Sequence, residues 1–568
     1  MKKILIILIS FVFLCKIAYS KDALMQLLEG EIAREMKLLK AEEESPYFLS
    51  YRVNDIDSYI ISSSFGNTMS NTNNRNRFLT ISVRVGGYKL DNSEELRDDR
   101  SSFFYSMPGV VQLPLDDNPD ALRKIIWKNT DSEYKKAVDK LAKVRANMAI
   151  KVEKEDQSDS FSREKPSLYY EPPLSEIDVD MDMWREKLNR YSELFLKDED
   201  IHQGTAYLRF HRERKYFVSS EGTKVAHNNT FGNLSIGGSI KADDGMVLPL
   251  YKSYYSFSLD NMPDDETVLK DVKEMVELLA KLKKAPAADP YSGPAIMSGN
   301  AASVFFHEIF GHRLEGHRQK KTSEGQTFKD MIGKMVLPDH MSVIFDPKAR
   351  TYKGFELSGH YLYDDEGVEG QRTVIVNNGV LERFLMSRNP IKGFEKSNGH
   401  GRAQIGYQPV TRQSNMFIET KRDYTCQDLR NIMIADLKEQ GKEYGYLFMD
   451  VAGGFTITGR FFPNAFNVTP IIVYRVYADG RDDELVRGVD LIGTPLAMFS
   501  QISEAGGELD VFAGQCGAES GSVPVSAVSP YIYVKMIETQ RKDKSQDRPP
   551  ILPRPDVITD SHDKGEDK

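Results

Sequence analysis

The segment from His307 to His312 contains two histidines and a glutamate whose spacing could support metal chemistry. It reads HEIFGH. Neutral imidazoles bind zinc, and a glutamate beside the first ligand can act as a general base toward water at the metal. In a straight helix, however, residues five apart lie about 140° apart around the axis. The pattern therefore predicts a helix that bulges or ends near Gly311, so that His312 turns back toward His307.

A catalytic zinc usually takes three protein ligands, so the sequence must supply one more. Cys516 lies in the glycine-flanked segment AGQCG, where the backbone is free to bring a thiolate to a metal. The residues alone leave alternatives open, because Cys516 could equally be an inert thiol or form a disulfide with Cys426. The other candidates for the third ligand are His317, His340, His360 and His400.

The composition is that of a folded globular protein with a large core. The 568 residues include 75 Lys+Arg and 84 Asp+Glu, which gives a net charge of −9, and 40% of them are hydrophobic. Sequence-independent nucleic-acid binding requires a basic surface that displaces counterions from phosphates. The acidic balance therefore predicts no nucleic-acid partner.

The first twenty residues have the pattern of a secretory signal peptide. Lys2 and Lys3 precede an apolar run over 4–15, and Ala18-Tyr19-Ser20 offers a small-residue cleavage site. The run is too short to span a bilayer comfortably, and no later stretch is long enough. We therefore expect residues 1–20 to be a signal peptide, the protein to be extracytoplasmic (periplasmic or secreted), and no stable membrane anchor.

The elements that must position the chemical groups can be predicted from hydrophobic periodicity. Apolar residues at helical spacing predict helices over 24–39 and 268–282, and 373–381 has the pattern of a β-hairpin. A charged stretch near 129–200 is interpreted as a solvated insertion, with 153–166 as the first site of proteolytic nicking. The polar, proline-containing residues 538–568 predict a disordered tail.

Several motifs, taken in order, are more specific than the histidine motif alone. They are HEIFGHRLEG (307–316), DDEGVEGQRTVIVNNGVLERFLMSR (364–388), NGHGRAQ (398–404), VRGVDLIGTPLAMFSQI (486–502) and AGQCGAESGSVPVSAVSP (513–530). Together they resemble the TldD/PmbA family of metalloproteases over about residues 290 to 536. Because the chain carries the metal motif, it resembles the TldD-type, catalytic subunit.

This resemblance implies an α+β fold, in which a mixed α/β N-terminal domain precedes an antiparallel, β-rich C-terminal domain with a short metal-binding helix. We expect these domains at residues 21–290 and 291–537. The resemblance also implies that Zn²⁺ is bound by His307, His312 and Cys516, with Glu308 as the catalytic base. The implied substrate is an unfolded peptide or protein segment.

The family works as dimers, so the implied partner is a second copy of the chain or a PmbA-type subunit. Arg313 and Glu315 are candidates for supporting the metal ligands, and His400, Arg402 and Tyr407 for stabilising the oxyanion. Two alternatives to a zinc peptidase remain open. One is a zinc amide hydrolase acting on a non-peptide substrate, and the other is a non-catalytic binding or partner subunit.

Overall fold

The computed structural model describes residues 22–96, 109–150, 156–174, 179–459 and 466–542. The predicted signal peptide at 1–20 lies outside the described residues, as does the predicted tail beyond residue 542. Within the described part of the chain, no helix is both long enough and apolar enough to cross a membrane.

The strands of the N-terminal part form a seven-stranded sheet in the order β3-β2-β1-β5-β6-β4, with β7 also paired to β6. Long antiparallel pairings join β1, β2, β5 and β6. The elements are α1 (Ala23–Leu39), β1 (Pro46–Ser64), β2 (Asn67–Val85), β3 (Val111–Leu113), α2 (Pro119–Ile150), β4 (Leu168–Tyr170), α3 (Met181–Glu193), β5 (Ile201–Ser219), β6 (Lys224–Lys241), β7 (Val247–Ser256) and α4 (Asp265–Lys284).

The helices predicted from periodicity are present because each buries one apolar face. In α1, Asp22 caps the first turn by accepting from the Met25 amide at 3.0 Å. In α4, Asp264 caps the helix in the same way. The buried face of α4 consists of Val268, Val272, Met275, Leu279 and Leu282.

The expectation of a solvated insertion near 129–200 is wrong for much of its length. α2 runs from Pro119 to Ile150, and α3 buries Trp184, Leu188 and Tyr191 in the core beneath the sheet. The charged residues that suggested a solvated segment lie on the outer faces of these helices. Apolar residues three and four positions apart bury the inner face of α3, a pattern that the high charge content obscures.

The segment after residue 155 is also packed rather than loose. Phe161 is 2% exposed and lies 3.9 Å from the Arg388 guanidinium, measured to the ring centroid. The Ser162 amide donates to the Arg388 carbonyl at 2.9 Å. Proteases cut extended backbone that is not packed against the protein. We therefore no longer expect residues 156–166 of the predicted site at 153–166 to be cut first.

The C-terminal part forms an eleven-stranded sheet in the order β13-β12-β9-β16-β22-β8-β17-β18-β19, with β20 and β21 also paired to β22. Its elements are β8 (Tyr291–Met297), α5 (Gly299–Ile309), α6 (His317–Lys320), β9 (Met341–Phe345), β10 (Thr351–Tyr352), β11 (Phe355–Glu356), β12 (Thr373–Asn377), β13 (Val380–Leu381), β14 (Gly401–Arg402), β15 (Val410–Thr411), β16 (Asn415–Thr420), α7 (Cys426–Glu439), β17 (Tyr444–Thr456), β18 (Phe466–Tyr477), β19 (Glu484–Val486), β20 (Val489–Ile492), α8 (Pro495–Phe499), β21 (Ile502–Ala518) and β22 (Gly521–Arg541).

The α+β fold class is confirmed, with two corrections to its details. The C-terminal sheet is mixed rather than antiparallel, since β16 pairs in parallel with β22, and β17 with β8. β22 continues to Arg541, so the tail predicted from residue 538 begins too early. The predicted hairpin is present as β12 and β13, with Asn378 and Gly379 at positive φ in the turn.

The helix that carries the histidine motif is packed on this sheet by its aromatic residues. Phe305, Phe306 and Ile309 of α5 are fully buried in the main C-terminal core. Truncating one buried Phe to Ala typically costs about 3–5 kcal/mol of stability. This packing fixes the position of α5, and therefore of the motif at its end.

Candidate metal centre and cleft

The histidine motif lies where an α-helix gives way to a tighter turn. The side chain of Ser298 caps the start of α5, which ends at Ile309. A 3₁₀ turn follows over Gly311–Leu314. This change absorbs the extra residue in the motif and brings the ring centroids of His307 and His312 to 4.9 Å. The predicted helix end is therefore confirmed.

Gly311 is required for space rather than for backbone freedom. Its φ is not positive, but a Cβ at this position would lie 2.0 Å from the Oε1 atom of Gln413. Gln413 also donates to the carbonyl of His307 at 3.3 Å. The sequence suggested that Gly311 is needed for backbone freedom, and that reason is wrong. The glycine instead leaves room for Gln413 to support the helix end.

Cys516 is brought to the two histidines by the long hairpin of β21 and β22. In that hairpin it pairs with Val523. Its sulfur lies 3.2 Å from Nε2 of His307 and 3.4 Å from Nε2 of His312. All three side chains are buried, and their donor atoms lie within 4.8 Å of one another. The structure therefore brings together the three residues that the resemblance implied.

The spacing of these donors fits a metal ion. Zn–S bonds of about 2.3 Å and Zn–N bonds of about 2.0–2.1 Å place sulfur and nitrogen about 3.5 Å apart around a tetrahedral ion. The observed separations of 3.2 and 3.4 Å are close to that value. Imidazole and thiolate donors together suit zinc better than they suit magnesium or calcium. The two sulfur–nitrogen separations therefore fit a metal ion bound at this cluster.

The charges in this cluster favour a thiolate, which is the form of cysteine that binds metals. Burial raises the pKa of Cys516, but His312, Arg412 and His307 hold that pKa well below its usual range. Burial likewise raises the pKa of Glu315, and His312 and Arg318 outweigh it and lower that pKa to about 2. Cys516 and Glu315 are therefore both negatively charged beside the histidines.

Glu315 is placed where it can orient His312. Its Oε1 atom lies 3.3 Å from Nδ1 of His312, so the other ring nitrogen faces the cluster. Arg318 holds the same carboxylate through a 2.7 Å hydrogen bond. A carboxylate on the distal nitrogen of a ligand histidine fixes its tautomer and ring orientation. The predicted supporting position of Glu315 therefore has a structural basis.

Arg412 contacts the cluster at Cys516, and the sequence analysis did not predict it as a site residue. Its guanidinium donates to the sulfur of Cys516 at 3.1 Å and also to the carbonyl of that residue. It lies 3.7 Å from Glu315. No local pattern marks an arginine on a short strand connection as part of a site 104 residues away.

Glu308 is 7% exposed. It lines a cleft of about 1810 Å³ into which the cluster opens. Among the described residues, its carboxylate makes no hydrogen bond or ion pair. A Cβ on Gly454 would lie 2.6 Å from its Cγ atom, so the glycine backbone forms one wall against it. The Gly453-Gly454 pair in β17 is a signal that sequence reasoning missed, because glycine in a strand often marks a close approach.

The three predicted oxyanion donors do not reach the cleft. Arg402 is buried, where it donates to the Gln413 carbonyl at 2.6 Å. His400 has no exposed surface and contacts Asn398 and Ser414. The backbone of Tyr407 accepts from an arginine, and its side chain is outside the residues that line the cleft. The prediction is therefore wrong for all three in this structure.

Arg313 supports the end of the helix rather than the ligands. Its guanidinium donates to the carbonyls of Glu308 and Ile309, at 2.8 and 3.2 Å. These carbonyls lie in the last turn of α5, where carbonyl groups lack partners within the helix. Arg313 therefore stabilises the point at which the motif leaves the helix.

The alternatives for the third position are placed elsewhere. His317 contacts Glu519 at 2.6 Å, His340 contacts the hydroxyl of Thr420 at the end of β16, and His360 contacts the carbonyl of Pro347. Cys426 is a free cysteine whose sulfur lies beside Gly507. Gly507 belongs to β21 and is nine strand residues from Cys516. Nine residues of β-strand span about 30 Å. That separation excludes a disulfide between the two cysteines, since their Cα atoms would have to lie within about 7 Å.

The cluster opens into a cleft of about 1810 Å³ between the two sheets. Residues from β7 and α4 form one side, and the glycine-rich end of β17 and the last residues of β21 form the other. The described residues that line it include His307, Glu308, His312 and Cys516. A substrate in this cleft would contact both the donor cluster and the unpaired carboxylate.

Replacing Gly454 with Ala is expected to displace Glu308 without removing the metal ligands. The added methyl would overlap Cγ of Glu308, and the carbonyl of Asn467 at 2.8 Å blocks its other side. A misplacement of about 1 Å can cost about 100-fold in rate, so we expect kcat to fall by about 10- to 100-fold. Metal content, measured by elemental analysis, should not change.

Gly87→Ala is the matched control, because a Cβ there would meet no atom within 4 Å. It should leave kcat and metal content as they are. A Gly454→Ala protein with wild-type kcat would show that Glu308 does not depend on this contact.

The chain is similar to known metalloproteases in sequence. Residues 290–541 match the family model described as the PmbA/TldA metallopeptidase C-terminal domain. The chain is 30% identical over 314 residues to a protein named metalloprotease from Methanocaldococcus jannaschii, which covers 55% of this chain and 64% of the relative. This match thus spans a little less than two thirds of that relative.

A second relative and a solved structure extend the similarity. A protein named zinc metalloprotease TldD homolog from Saccharolobus solfataricus is 25% identical over 344 residues, 58% of this chain and 68% of the relative. The crystal structure of TldE from Thermococcus kodakarensis has a TM-score of 0.60 at 15% identity, and covers 90% of this chain and all of that one. The latter likeness concerns the fold alone.

The comparisons also correct one expectation. Both relatives are archaeal proteins, one named metalloprotease and the other zinc metalloprotease TldD homolog. Neither name includes an export signal or an extracytoplasmic location. The predictions of a signal peptide and of a secreted or periplasmic protein are therefore withdrawn.

Proposed function

We propose that the protein is a zinc-dependent peptidase, because residues 290–541 match the family model of the PmbA/TldA metallopeptidase C-terminal domain. The observation that supports this most directly is the site itself. His307, His312 and Cys516 form a donor cluster beneath the carboxylate of Glu308, and all four residues line one cleft.

The roles of the residues follow from their positions. His307, His312 and Cys516 would hold zinc, and Glu315 and Arg412 would keep His312 and Cys516 in place. Zinc, when bound, supplies a Lewis acid that polarises a carbonyl and lowers the pKa of water. Glu308 has no competing partner, so its carboxylate oxygen can accept a proton from the attacking water. It can then return that proton to the nitrogen of the leaving amine.

The cleft has the form expected for an extended peptide. Among the described strands, β21 pairs only with β22, and its residues from Val511 to Ala518 line the cleft beside the cluster. A strand with one unpaired edge can bind a peptide through main-chain hydrogen bonds, without reading its side chains. An unfolded peptide or protein segment is thus the proposed substrate.

We also propose that the active form is a dimer. The resemblance to the TldD/PmbA family implies dimers, and a solved structure with a similar fold is named TldE. The partner would be a second copy of this chain or a PmbA-type subunit without the metal motif. Size measurement of the purified chain, alone and mixed with such a subunit, tests this part of the proposal.

Metal removal tests the proposed activity. The purified full chain should contain about one zinc ion per chain and cleave casein or a short unstructured peptide. A chelator should abolish cleavage, and added zinc should restore it. Cleavage of acylated small molecules but not of peptides would favour the non-peptide amide hydrolase, and a metal-loaded chain inactive on all of them would favour a non-catalytic subunit.

A further inference from the structure

The described lysine and arginine side chains that line the cleft lie close to carboxylates. Among the described residues that line it, three are lysine or arginine, and each lies within 4 Å of a carboxylate. The pairs are Lys252 with Asp271 at 2.7 Å, Lys321 with Glu519 at 3.8 Å, and Arg318 with Glu519 at 2.7 Å. None of these cations is left to attract a negatively charged ligand.

Four carboxylates of the same cleft form no ion pair within 4 Å among the described residues. Glu95, Glu356 and Asp450 accept hydrogen bonds only from neutral groups, such as the Ser323 hydroxyl on Glu95 and the Phe257 amide on Glu356. The fourth is Glu308. Among the described residues that line the cleft, the charges without an ion pair are therefore all negative.

Glu308 shows that this charge is directed at a ligand rather than at solvent. It is 93% buried, lines the cleft, and has neither a hydrogen bond nor an ion pair to its carboxylate among the described residues. An unpaired buried charge is costly, so such a group is expected to face a bound cation. A zinc ion held by one thiolate retains a charge of only about +1. That charge does not balance four carboxylates.

The cleft also exposes aromatic rings next to these carboxylates. Phe355 is 62% exposed, Phe455 is 59% exposed and Tyr251 is 37% exposed, and all three line the cleft. Aromatic faces attract ammonium and guanidinium groups, and they also pack against the aliphatic parts of lysine and arginine. The rings and the carboxylates thus favour the same side chains.

We propose that the cleft selects cationic substrates, namely unfolded peptides that carry lysine or arginine along the segment bound near Glu308. This inference rests on the proposed peptidase function and adds the charge class of its substrate. Glu95, Glu356 and Asp450 are the specificity-determining residues. Their field concentrates cationic peptides in the cleft and repels acidic ones, because low-dielectric walls focus the potential.

The test uses three unstructured peptides of equal length that differ only in carrying three lysines, three glutamines or three glutamates. Burial raises the pKa of Asp450 to about 6, so assays at about pH 8 keep it charged. We expect kcat/KM to be at least about tenfold higher for the lysine peptide than for the glutamate peptide. The ratio should shrink as salt rises, since about 1 M salt screens charges beyond about 3 Å.

Binding of the same peptides to the chelated full chain, followed by fluorescence anisotropy, gives a readout that does not depend on cleavage. The double variant Glu95→Gln/Glu356→Gln should lose most of the lysine preference in both assays. Glu439→Gln removes an exposed carboxylate of α7 that is outside the cleft, and should retain the full preference.

The outcomes separate this inference from the proposed function. Equal binding of the three peptides, or a preference that the double variant leaves unchanged, would overturn the proposed selectivity. A chain that binds the lysine peptide preferentially but cleaves none of the peptides when loaded with zinc would instead contradict the peptidase function and retain the charge selectivity.

Discussion

Replacing Glu308 with Gln is expected to lower kcat by at least about 100-fold, the scale of a lost general base. The amide has nearly the same shape, but it cannot accept a proton from water. The donor atoms of the cluster come from His307, His312 and Cys516, so zinc should stay close to stoichiometric. Initial rates on a neutral peptide, together with elemental analysis, measure both quantities.

The neutral peptide keeps this test independent of substrate charge, because Glu308 also contributes to the negative field of the cleft. Glu439→Gln is the control for the loss of one carboxylate elsewhere on the surface. Wild-type turnover in a zinc-loaded Glu308→Gln protein would remove Glu308 from the mechanism. Loss of zinc would point instead to a role in metal binding.

Cys516→Ser is expected to abolish both metal binding and activity, whereas Cys426→Ser should affect neither. A hydroxyl is a poor replacement for a thiolate at a zinc site. Cys516 lies 3.2 and 3.4 Å from the two histidine nitrogens, while Cys426 begins α7 on another part of the sheet. Zinc content and peptide cleavage of the two variants provide the comparison.

A spectroscopic measurement shows whether the sulfur itself is a ligand. Cobalt bound by a thiolate gives charge-transfer absorption in the near ultraviolet, which should be present in the wild type and in Cys426→Ser. It should be absent from Cys516→Ser, and Cys516→Asp, which restores an anionic ligand atom, should recover part of the metal content. Equal loss of metal from both cysteine variants, or full zinc in Cys516→Ser, would exclude Cys516 as the third ligand.

Much of the local structure and the core of the motif could be predicted from the sequence, because these depend on neighbouring residues. The helical spacing in α4 and the Asn-Gly turn between β12 and β13 each determine a backbone conformation within a few residues. The five-residue spacing of His307 and His312 likewise predicted a bulge or a helix end near Gly311, and the structure has a helix end at Ile309.

The charged stretch near 129–200 shows where composition misleads. Its high charge content predicted a solvated segment, yet α3 buries Trp184 and Leu188 against the N-terminal sheet. Burial is decided by the one face that meets a partner, and the average composition of a segment does not report which face that is.

Only the tertiary structure decided how the candidate site is completed. Cys516 is 209 residues from His307 and reaches it through the register of β21 with β22. From two further segments, Arg412 donates a hydrogen bond to the Cys516 sulfur, and the backbone of Gly454 packs against Glu308. His307, Glu308 and His312 are neighbours along one chain segment, so the sequence alone could single them out as candidates. The groups that hold and shield them come from strands brought together by long-range pairing, which depends on the packing of the whole sheet rather than on any local pattern.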